Sequence, residues 1–232
     1  MNEFHHQLFD CNSCLFKTIS CHYITKDEFE LVRRTSVQLN FDKGETIIKQ
    51  GAKSRQLVFL HKGIVKFNYQ NESGKNFIMT IVNGPKLLGG ANLFFKETNI
   101  FSLVAVEKCE LCFIDSRALR NLAMHNGNYT LALCERMVEM FQSSIFNFIS
   151  LAHKQVHGRI ADILIYLWEQ VYSKGEYDFV LSRKELAEYA ACSTENVITT
   201  LSKFNKEGII TIQGKKIIIN DLNKLFLISR IG

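Results

Sequence analysis

The pattern that most restricts the fold lies near the C-terminus, in residues 182–219, where two short helices and a hairpin are predicted. Ser182 and Glu185 form a capping box, in which each side chain accepts a hydrogen bond from a backbone N–H at a helix start. Ser193 is a suitable N-cap for a second helix, which Gly208 ends. Two short apolar runs of β type then surround a glycine turn. Helix, tight turn, helix and hairpin together predict a winged helix-turn-helix.

The second helix of this pattern has one apolar face and one polar face. Val197, Leu201 and Phe204 recur at steps of four and three residues, which places them on the same side. The other side carries groups that can hydrogen-bond a base edge or a phosphate. The candidate DNA-binding residues are Ser182, Arg183, Ser193, Thr194, Glu195, Asn196, Thr199, Thr200 and Lys203, with Lys215 and Lys216 on the hairpin. The alternative interpretation is a helical hairpin packed on a two-stranded sheet without a partner.

Composition describes a soluble globular protein. The chain has 232 residues, which is enough for one large or two ordinary domains. It is 47% hydrophobic and 22% charged, and no apolar run approaches the roughly 18 residues that a membrane span requires. The N-terminus has no signal-peptide pattern, so we expect a cytoplasmic protein without a membrane partner. The net charge of +5 permits a nucleic-acid partner without requiring one.

Residues 26–115 are predicted to form one short helix followed by an antiparallel β domain. The helix covers residues 26–34. From residue 37 to residue 115, brief β-rich runs alternate with glycines, and these runs include residues 46–49, 57–61, 64–69, 77–82 and 101–106. Short strands at regular spacing, separated by glycine turns, are typical of an antiparallel sandwich or barrel.

A long helix is predicted over residues 128–152. Its apolar residues form a heptad seam, with alternating steps of three and four; the candidate dimer-interface residues are Leu131, Cys134, Val138, Phe141, Ile145 and Phe148. A second apolar stripe lies beside the seam. A helix that is apolar on two sides must bury both, so we expect one side to pack on the β domain and the other on a second copy of the chain. The alternative is a core helix buried within one chain.

Three stretches of the chain resemble the CRP/FNR superfamily of transcriptional regulators. They are Cys192-Ser193-Thr194-Glu195-Asn196-Val197 at the recognition helix, Val156-x-Gly158-Arg159-Ile160-Ala161 at the start of the DNA-binding domain, and the order Gly44-Glu45, Gly51, Gly63, Gly89 in the β region. The resemblance implies an α+β fold with a Cys-containing segment (1–25), an antiparallel β-roll sensor domain of cupin-like jelly-roll type (26–125), a dimerisation helix (126–153) and a winged helix-turn-helix (154–232). It also implies a homodimer on a pseudo-palindromic double-stranded DNA operator, with RNA polymerase as a further partner.

Departures from the family pattern change the expected ligand and operator. Gly90 stands where the family has the acid that binds the ribose of a cyclic nucleotide, and Ile100 where it has the arginine that faces the phosphate. A buried phosphate without a cationic partner has a large desolvation cost. We therefore expect a redox, gas or other small-molecule signal rather than cyclic AMP. Thr199 replaces a base-reading arginine and Ile198 beside it is apolar, so the operator should differ from the best-known consensus of the family.

Five of the seven cysteines suggest a metal site. Cys11, Cys14 and Cys21 resemble the N-terminal iron–sulfur ligands of the FNR branch, although one more residue separates the last two here. The resemblance places the fourth ligand at Cys112, with Cys109 as the alternative, and implies a four-iron, four-sulfur cluster. Zinc, or no metal at all, are the alternatives.

The other two cysteines and the histidines do not point to catalysis. Cys134 and Cys192 lie in helical patterns and are predicted to be small buried side chains. A redox dithiol is expected in a βαβ setting, which residues 11–14 lack. His61 in the β region has no second metal ligand at suitable spacing. A redox or metal enzyme on the β-roll is therefore the less favoured alternative, behind an interaction protein of the same fold that does not bind DNA.

Overall fold

The computed structural model describes residues 11, 14, 16, 23–53, 55–88, 98–172, 177–178, 181–214 and 216–232. By its internal contacts the chain divides into two compact units, one made of residues up to 65 and 83–141, the other of residues 66–82 and 142–232. The division predicted from the sequence, with boundaries after residues 25, 125 and 153, stays a prediction. No helix in the described part of the chain is long and apolar enough to cross a membrane.

The first described helix, α1 (Lys26–Arg34), begins at a capping box. The Thr25 hydroxyl accepts a hydrogen bond from the Glu28 N–H (3.3 Å), and the Glu28 carboxylate accepts one from the Thr25 N–H (2.7 Å). The bond to the Thr25 backbone holds the pKa of Glu28 below its ordinary value. Phe29 and Val32 face the core. This helix has the bounds that the sequence predicted.

In the described residues eight strands follow, and they form the predicted antiparallel β domain. They are β1 (Ser36–Phe41), β2 (Thr46–Ile48), β3 (Gln56–Lys62), β4 (Ile64–Gln70), β5 (Asn76–Asn83), β6 (Lys86–Leu88), β7 (Ser102–Ala105) and β8 (Cys109–Asp115). They make two four-stranded sheets, with strand orders β1-β8-β3-β6 and β2-β7-β4-β5. Leu57, Phe59, Leu60 and Leu111 are at most 1% exposed, and each such side chain contributes roughly 1.5–3 kcal/mol by leaving water.

A single glycine makes the turn from β3 to β4 possible. Gly63 has a φ of +107°, and a Cβ there would lie 2.6 Å from the Lys108 carbonyl oxygen and 2.7 Å from the Cys109 sulfur. Real side chains do not approach this closely, and a positive φ disfavours any other residue. Gly63 is one of the glycines on which the family resemblance rests. Its lack of a side chain lets the start of β8 pack directly on the turn.

Two helices follow β8. Asp115 caps α2 (Ser116–His125) by accepting a hydrogen bond from the Arg117 N–H (2.8 Å). The sequence patterns did not predict α2. The next helix, α3 (Gly127–His153), confirms the prediction of a long helix over residues 128–152. Tyr129 and Leu133 on its first turns belong to one buried cluster with Phe59 of β3, so this part of α3 packs on the β domain as expected.

The second unit contains the predicted winged helix-turn-helix. Its elements are α4 (Val156–Tyr166), a π-helical turn (Leu167–Val171), β9 (Tyr177–Asp178), α5 (Arg183–Ala190), α6 (Thr194–Lys206), β10 (Ile210–Gln213), β11 (Lys216–Ile219) and α7 (Leu222–Ile231). The strands form one antiparallel sheet in the order β10-β11-β9. The hairpin of β10 and β11 is the predicted one. β9 is only two residues long and forms by pairing with β11, so sequence periodicity did not predict it.

The last helix docks on α4. A Cβ on Gly158 would lie 2.7 Å from the Gly232 carbonyl oxygen, so the glycine lets α7 approach closely. Asp162 of α4 accepts hydrogen bonds from the Ser229 hydroxyl of α7 and from Lys154 Nζ (2.8 Å). The C-terminal tail, for which the sequence suggested no function, is therefore a helix that stabilises the winged domain.

Candidate nucleic-acid interface

The two helices of the helix-turn-helix are fixed by their caps. The Ser182 hydroxyl accepts a hydrogen bond from the Glu185 N–H (3.1 Å), and Glu185 accepts one from the Ser182 N–H (2.8 Å), so the predicted capping box starts α5. Ala191 ends α5 in the left-handed conformation with a φ of 49°, which makes the turn tight. Ser193 then caps α6 by accepting from the Asn196 N–H (3.2 Å). Each signal is local, and for that reason the sequence predicted all three.

Apolar side chains seat α6 in the unit and set its rotation. Val197, Leu201 and Phe204 are at most 1% exposed, as the sequence predicted. Gly208, with a φ of +70°, ends the helix in a Schellman motif, in which the Ile209 N–H donates to the Phe204 carbonyl oxygen (2.9 Å). The opposite side of α6 is therefore free to enter a groove of DNA.

Most of the candidate DNA-binding residues lie on accessible surface. Ser182, Ser193, Glu195, Asn196, Thr199 and Lys203 are exposed, Arg183, Thr194 and Lys216 are half-buried, and Lys215 lies outside the described residues. Burial lowers the pKa of Arg183. Arginine is so strongly basic that Arg183 stays charged at neutral pH all the same. The set spans both helices and the hairpin, as a helix-turn-helix with a wing requires.

The structure corrects the prediction for one candidate DNA-binding residue, Thr200. It is only 9% exposed, so the prediction that it lies on the polar face is wrong. Thr200 follows Val197 by three residues and precedes Leu201, and helical geometry places such a position on the buried side. Ser202 and Lys206 are exposed on α6 in its place. The spacing of the apolar residues could have indicated this exchange.

The carboxylate of Glu195 is kept ionised at the start of α6. Hydrogen bonds from its own backbone N–H and from Ser193 hold the pKa of Glu195 below its ordinary value. An ionised, fully exposed carboxylate only accepts hydrogen bonds. In the major groove, the cytosine amino group is the donor that such a carboxylate can recognise.

One side chain of β4 and one backbone carbonyl of β5 contact the helices of the winged domain. Lys66 of β4 forms an ion pair with Glu185 of α5, and the Tyr166 hydroxyl of α4 donates to the Ile81 carbonyl oxygen (2.7 Å). Burial raises the pKa of Glu185, but bonds from Lys66 and the Ser182 N–H outweigh burial, so that the pKa is lowered. The capping carboxylate therefore has two partners at once, which fixes the first turn of α5.

The predicted seam on α3 is an uncovered apolar surface in the single chain. Leu131, Val138, Phe141, Ile145 and Phe148 are between 40% and 71% exposed, and Met137 of the second stripe is 41% exposed. Large contiguous apolar patches mark interaction sites. Cys134 lies in the same row and is exposed, so the prediction that it is a small buried side chain is wrong, whereas Cys192 is half-buried. Periodicity cannot say whether a chain buries a stripe alone or with a partner.

The described cysteines of the expected metal site lie close together. Cys11 and Cys14 share a turn, in which the Cys14 N–H donates to the Cys11 carbonyl oxygen (3.3 Å). Gln38 Nε2 donates to the Cys11 sulfur (3.3 Å), and Gln38 pairs with Cys112 across β1 and β8. Burial, opposed by a hydrogen bond with Ser36 and supported by the Cys14 and Cys11 thiols nearby, raises the pKa of Cys112 to about 12.

Cys109 does not join these thiols. It is three residues from Cys112, so the two side chains leave β8 on opposite faces, and the Cys109 sulfur donates to the Ile64 and Glu107 carbonyl oxygens (3.3 and 3.2 Å). Burial raises the pKa of Cys109 to about 11. Cys21 lies outside the described residues, and within these no three His, Cys, Asp or Glu side chains are arranged to hold a metal ion. Thiols are the donor type that an iron–sulfur cluster takes, and the cluster at these cysteines stays a prediction.

Two family models match the chain. The model described as a cyclic nucleotide-binding domain matches residues 38–126, and the model described as a Crp-like helix-turn-helix domain matches residues 158–227. The chain belongs to the CRP/FNR family. The first match runs from β1 through the β domain to the end of α2, and the second covers nearly all of the winged domain.

Relatives of known structure and sequence agree with membership of the CRP/FNR family. The cAMP-activated global transcriptional regulator CRP of Salmonella typhimurium is 28% identical over 178 residues, which are 75% of this chain and 85% of that protein. FixK2 from Bradyrhizobium japonicum shares the fold with a TM-score of 0.76 at 15% identity, over 84% of this chain and 97% of its own. A CRP/FNR-family regulator from Thermus thermophilus has a TM-score of 0.63 at 22% identity, over 83% and 98%. The predicted family and fold class are thereby confirmed.

The expectations about cyclic AMP are not tested by these matches. Ile100 is 47% exposed, and Gly90 belongs to residues 89–97, for which no structure is described. CRP of Salmonella typhimurium and the Thermus thermophilus protein are named as transcriptional regulators, which agrees with the prediction that this chain is a regulator.

Proposed function

We propose that this CRP/FNR transcriptional regulator acts as a homodimer that binds a pseudo-palindromic operator through α6. The observation that carries the proposal is the exposed polar face of α6, seated by the buried Val197, Leu201 and Phe204. The wing and the first turn of α5 add cationic and hydroxyl groups on either side. A regulator that binds chromosomal operators works in the cytoplasm, which agrees with the localisation expected from the sequence.

Dimerisation is supported by the uncovered seam on α3. Its apolar residues follow a heptad spacing, and two such helices pack side by side with knobs in holes. A two-fold dimer presents two copies of α6 to DNA, and the half-sites of such dimers lie about 34 Å apart, one turn of the double helix. A two-fold dimer would therefore both bury the uncovered seam and present two copies of α6 to the operator.

Reading and positioning are divided between two groups of side chains. Glu195, near the N-terminus of α6, is suited to accept from a cytosine amino group, and Thr199 can bond a base edge through its hydroxyl. Lys203 and Lys206 on α6 and Lys216 on the wing are suited to phosphates, which fix position without reading sequence. RNA polymerase is the partner through which such a bound dimer would act on transcription.

The signal that we propose is not cyclic AMP. Gly90 and Ile100 supply neither the carboxylate for the ribose nor the cation for the phosphate. We propose instead a redox or gas signal at the N-terminal cysteines. Cys11, Cys14 and Cys112 are near one another, and Cys21 follows in the sequence, so these four would supply the thiolates of an iron–sulfur cluster.

The division between reading and positioning residues is tested by two substitutions. Glu195→Ala should relax the preference for one base pair in each half-site, with a cost of about 1–3 kcal/mol on the best operator. Lys216→Ala should weaken binding to all sequences alike and reduce the slope of log K against log salt concentration by about 1. Titrations of operator and random DNA at several salt concentrations measure both effects. Lys75→Ala, an exposed lysine on the β4–β5 turn, is the control and should change neither. Equal loss of base preference in the Glu195 and Lys216 variants would contradict the division.

A further inference from the structure

Ile198 is an exposed apolar side chain among the polar residues of α6. It is 50% exposed, although its neighbour Val197 is completely buried. The packing of α6 does not depend on burying Ile198, because Val197, Leu201 and Phe204 already fill its buried face and are each at most 1% exposed. An exposed β-branched residue also lowers helix propensity slightly. Ile198 is therefore available for contact with a partner outside the folded chain.

The surroundings of Ile198 on the helix are those of a reading residue. Residues three and four apart share a face of a helix, so Ile198 lies between Glu195 and Ser202, both exposed. Lys203 is five residues away and therefore about 140° around the helix axis. Ile198 is thus on the side of the candidate base-reading carboxylate, whereas Lys203 lies away from it and Lys206 lies about two turns further along the helix.

The chemistry of the major groove offers one match for such a side chain. Base edges there present hydrogen-bond donors and acceptors, which would lose water without compensation against an aliphatic surface. The exception is the 5-methyl group of thymine, an apolar group that projects into the groove. An apolar residue that enters the groove beside Glu195 gains free energy only where a thymine lies opposite it.

We propose that Ile198 is a specificity-determining residue that contacts the 5-methyl group of one thymine in each half-site of the operator. The inference rests on the proposed binding of DNA through α6 and names what that surface reads. Glu195 then favours a cytosine and Ile198 favours a thymine, and both bases lie within reach of one turn of α6. Burying one methyl group is worth about 0.8 kcal/mol, which corresponds to about a fourfold change in affinity per half-site.

The test removes the methyl group from the DNA rather than from the protein. In the selected operator, each thymine is replaced in turn by deoxyuridine, in both half-sites together, which deletes only the 5-methyl group. For the wild-type protein we expect one position at which affinity falls by about an order of magnitude, the product of two fourfold losses. Ile198→Ala should bind the unmodified operator more weakly and be insensitive to deoxyuridine at that position.

Matched variants and DNA separate the possible outcomes. Leu227→Ala removes an equally exposed aliphatic side chain from α7 and should keep the wild-type sensitivity. Cytosine at the critical position should weaken binding, and 5-methylcytosine should restore part of the loss for the wild type only. If operator binding is intact but no deoxyuridine matters, or if Ile198→Ala stays as sensitive as the wild type, the inference is overturned while the proposed function stands. Absence of any sequence-specific binding by the wild type would overturn both.

Discussion

Phe141→Glu is expected to yield a monomer that binds the full operator about 10²–10⁴ times more weakly than the wild type does. Phe141 is 65% exposed at the middle of the α3 seam, between Val138 and Ile145. In a two-fold dimer, the substitution places two carboxylates near each other in an apolar interface, where unpaired charge is costly. The loss in affinity follows because a dimer binds its second half-site at a high effective concentration, whereas a monomer does not.

Sedimentation of the free protein and titration of full and half operators together measure this effect. Affinity for an isolated half-site should be nearly unchanged, because Phe141 is not among the candidate DNA-binding residues of α5, α6 and the hairpin. Phe146→Glu is the matched control: Phe146 is 71% exposed but follows Ile145 by one residue, so it is turned about 100° from the seam. A Phe141→Glu protein that sediments as a dimer would contradict the assignment of the interface.

Cys14→Ser is expected to remove the iron from protein prepared without oxygen, from about four iron atoms per chain to nearly none. The same loss is expected for Cys112→Ser but not for Cys109→Ser, because Cys112 lies beside the N-terminal thiols and the Cys109 sulfur is bonded to Ile64 and Glu107. Cys192→Ser in the winged domain is the control. Iron and sulfide analysis with a visible spectrum provides the measurement. A colourless, iron-free anaerobic preparation that still binds its operator would refute the cluster and leave DNA binding intact.

Proton release should accompany metal uptake at these cysteines. In the metal-free chain, burial and the neighbouring thiols raise the pKa of Cys112 to about 12, so its thiol is protonated at neutral pH and is a poor nucleophile. Only the thiolate binds metal, and a bound cation favours that form.

Sequence patterns predicted the parts of this structure that depend on neighbours along the chain. The capping box at Ser182 and the cap at Ser193 are each satisfied within one helical turn, and the long helical period of α3 repeats along its own sequence; the structure shows both caps and the helix. The residues of the predicted seam are exposed on α3, and their burial in a dimer stays a prediction.

The parts that the sequence did not predict depend on distant contacts. Thr200 is the exception, because its burial follows from its local position beside Val197 and Leu201, and the spacing of these apolar residues could have indicated it. Strand β9 exists only through its pairing with β11. The choice of Cys112 over Cys109 came from the family resemblance, and the opposite faces of β8 now give it a physical reason.

Sequence-specific binding by a dimer is tested most directly by selecting bound fragments from a library of the native genome, with and without oxygen. The enriched fragments should share a pseudo-palindrome whose half-sites are centred about 10–10.5 base pairs apart, and one dimer should occupy each site. Such a site should be bound at least about 10³-fold more tightly than random DNA at the same salt concentration, and insertion of five base pairs between its halves should abolish the preference. If no fragment is bound more tightly than random DNA in either condition, the chain is not the operator-binding regulator described here.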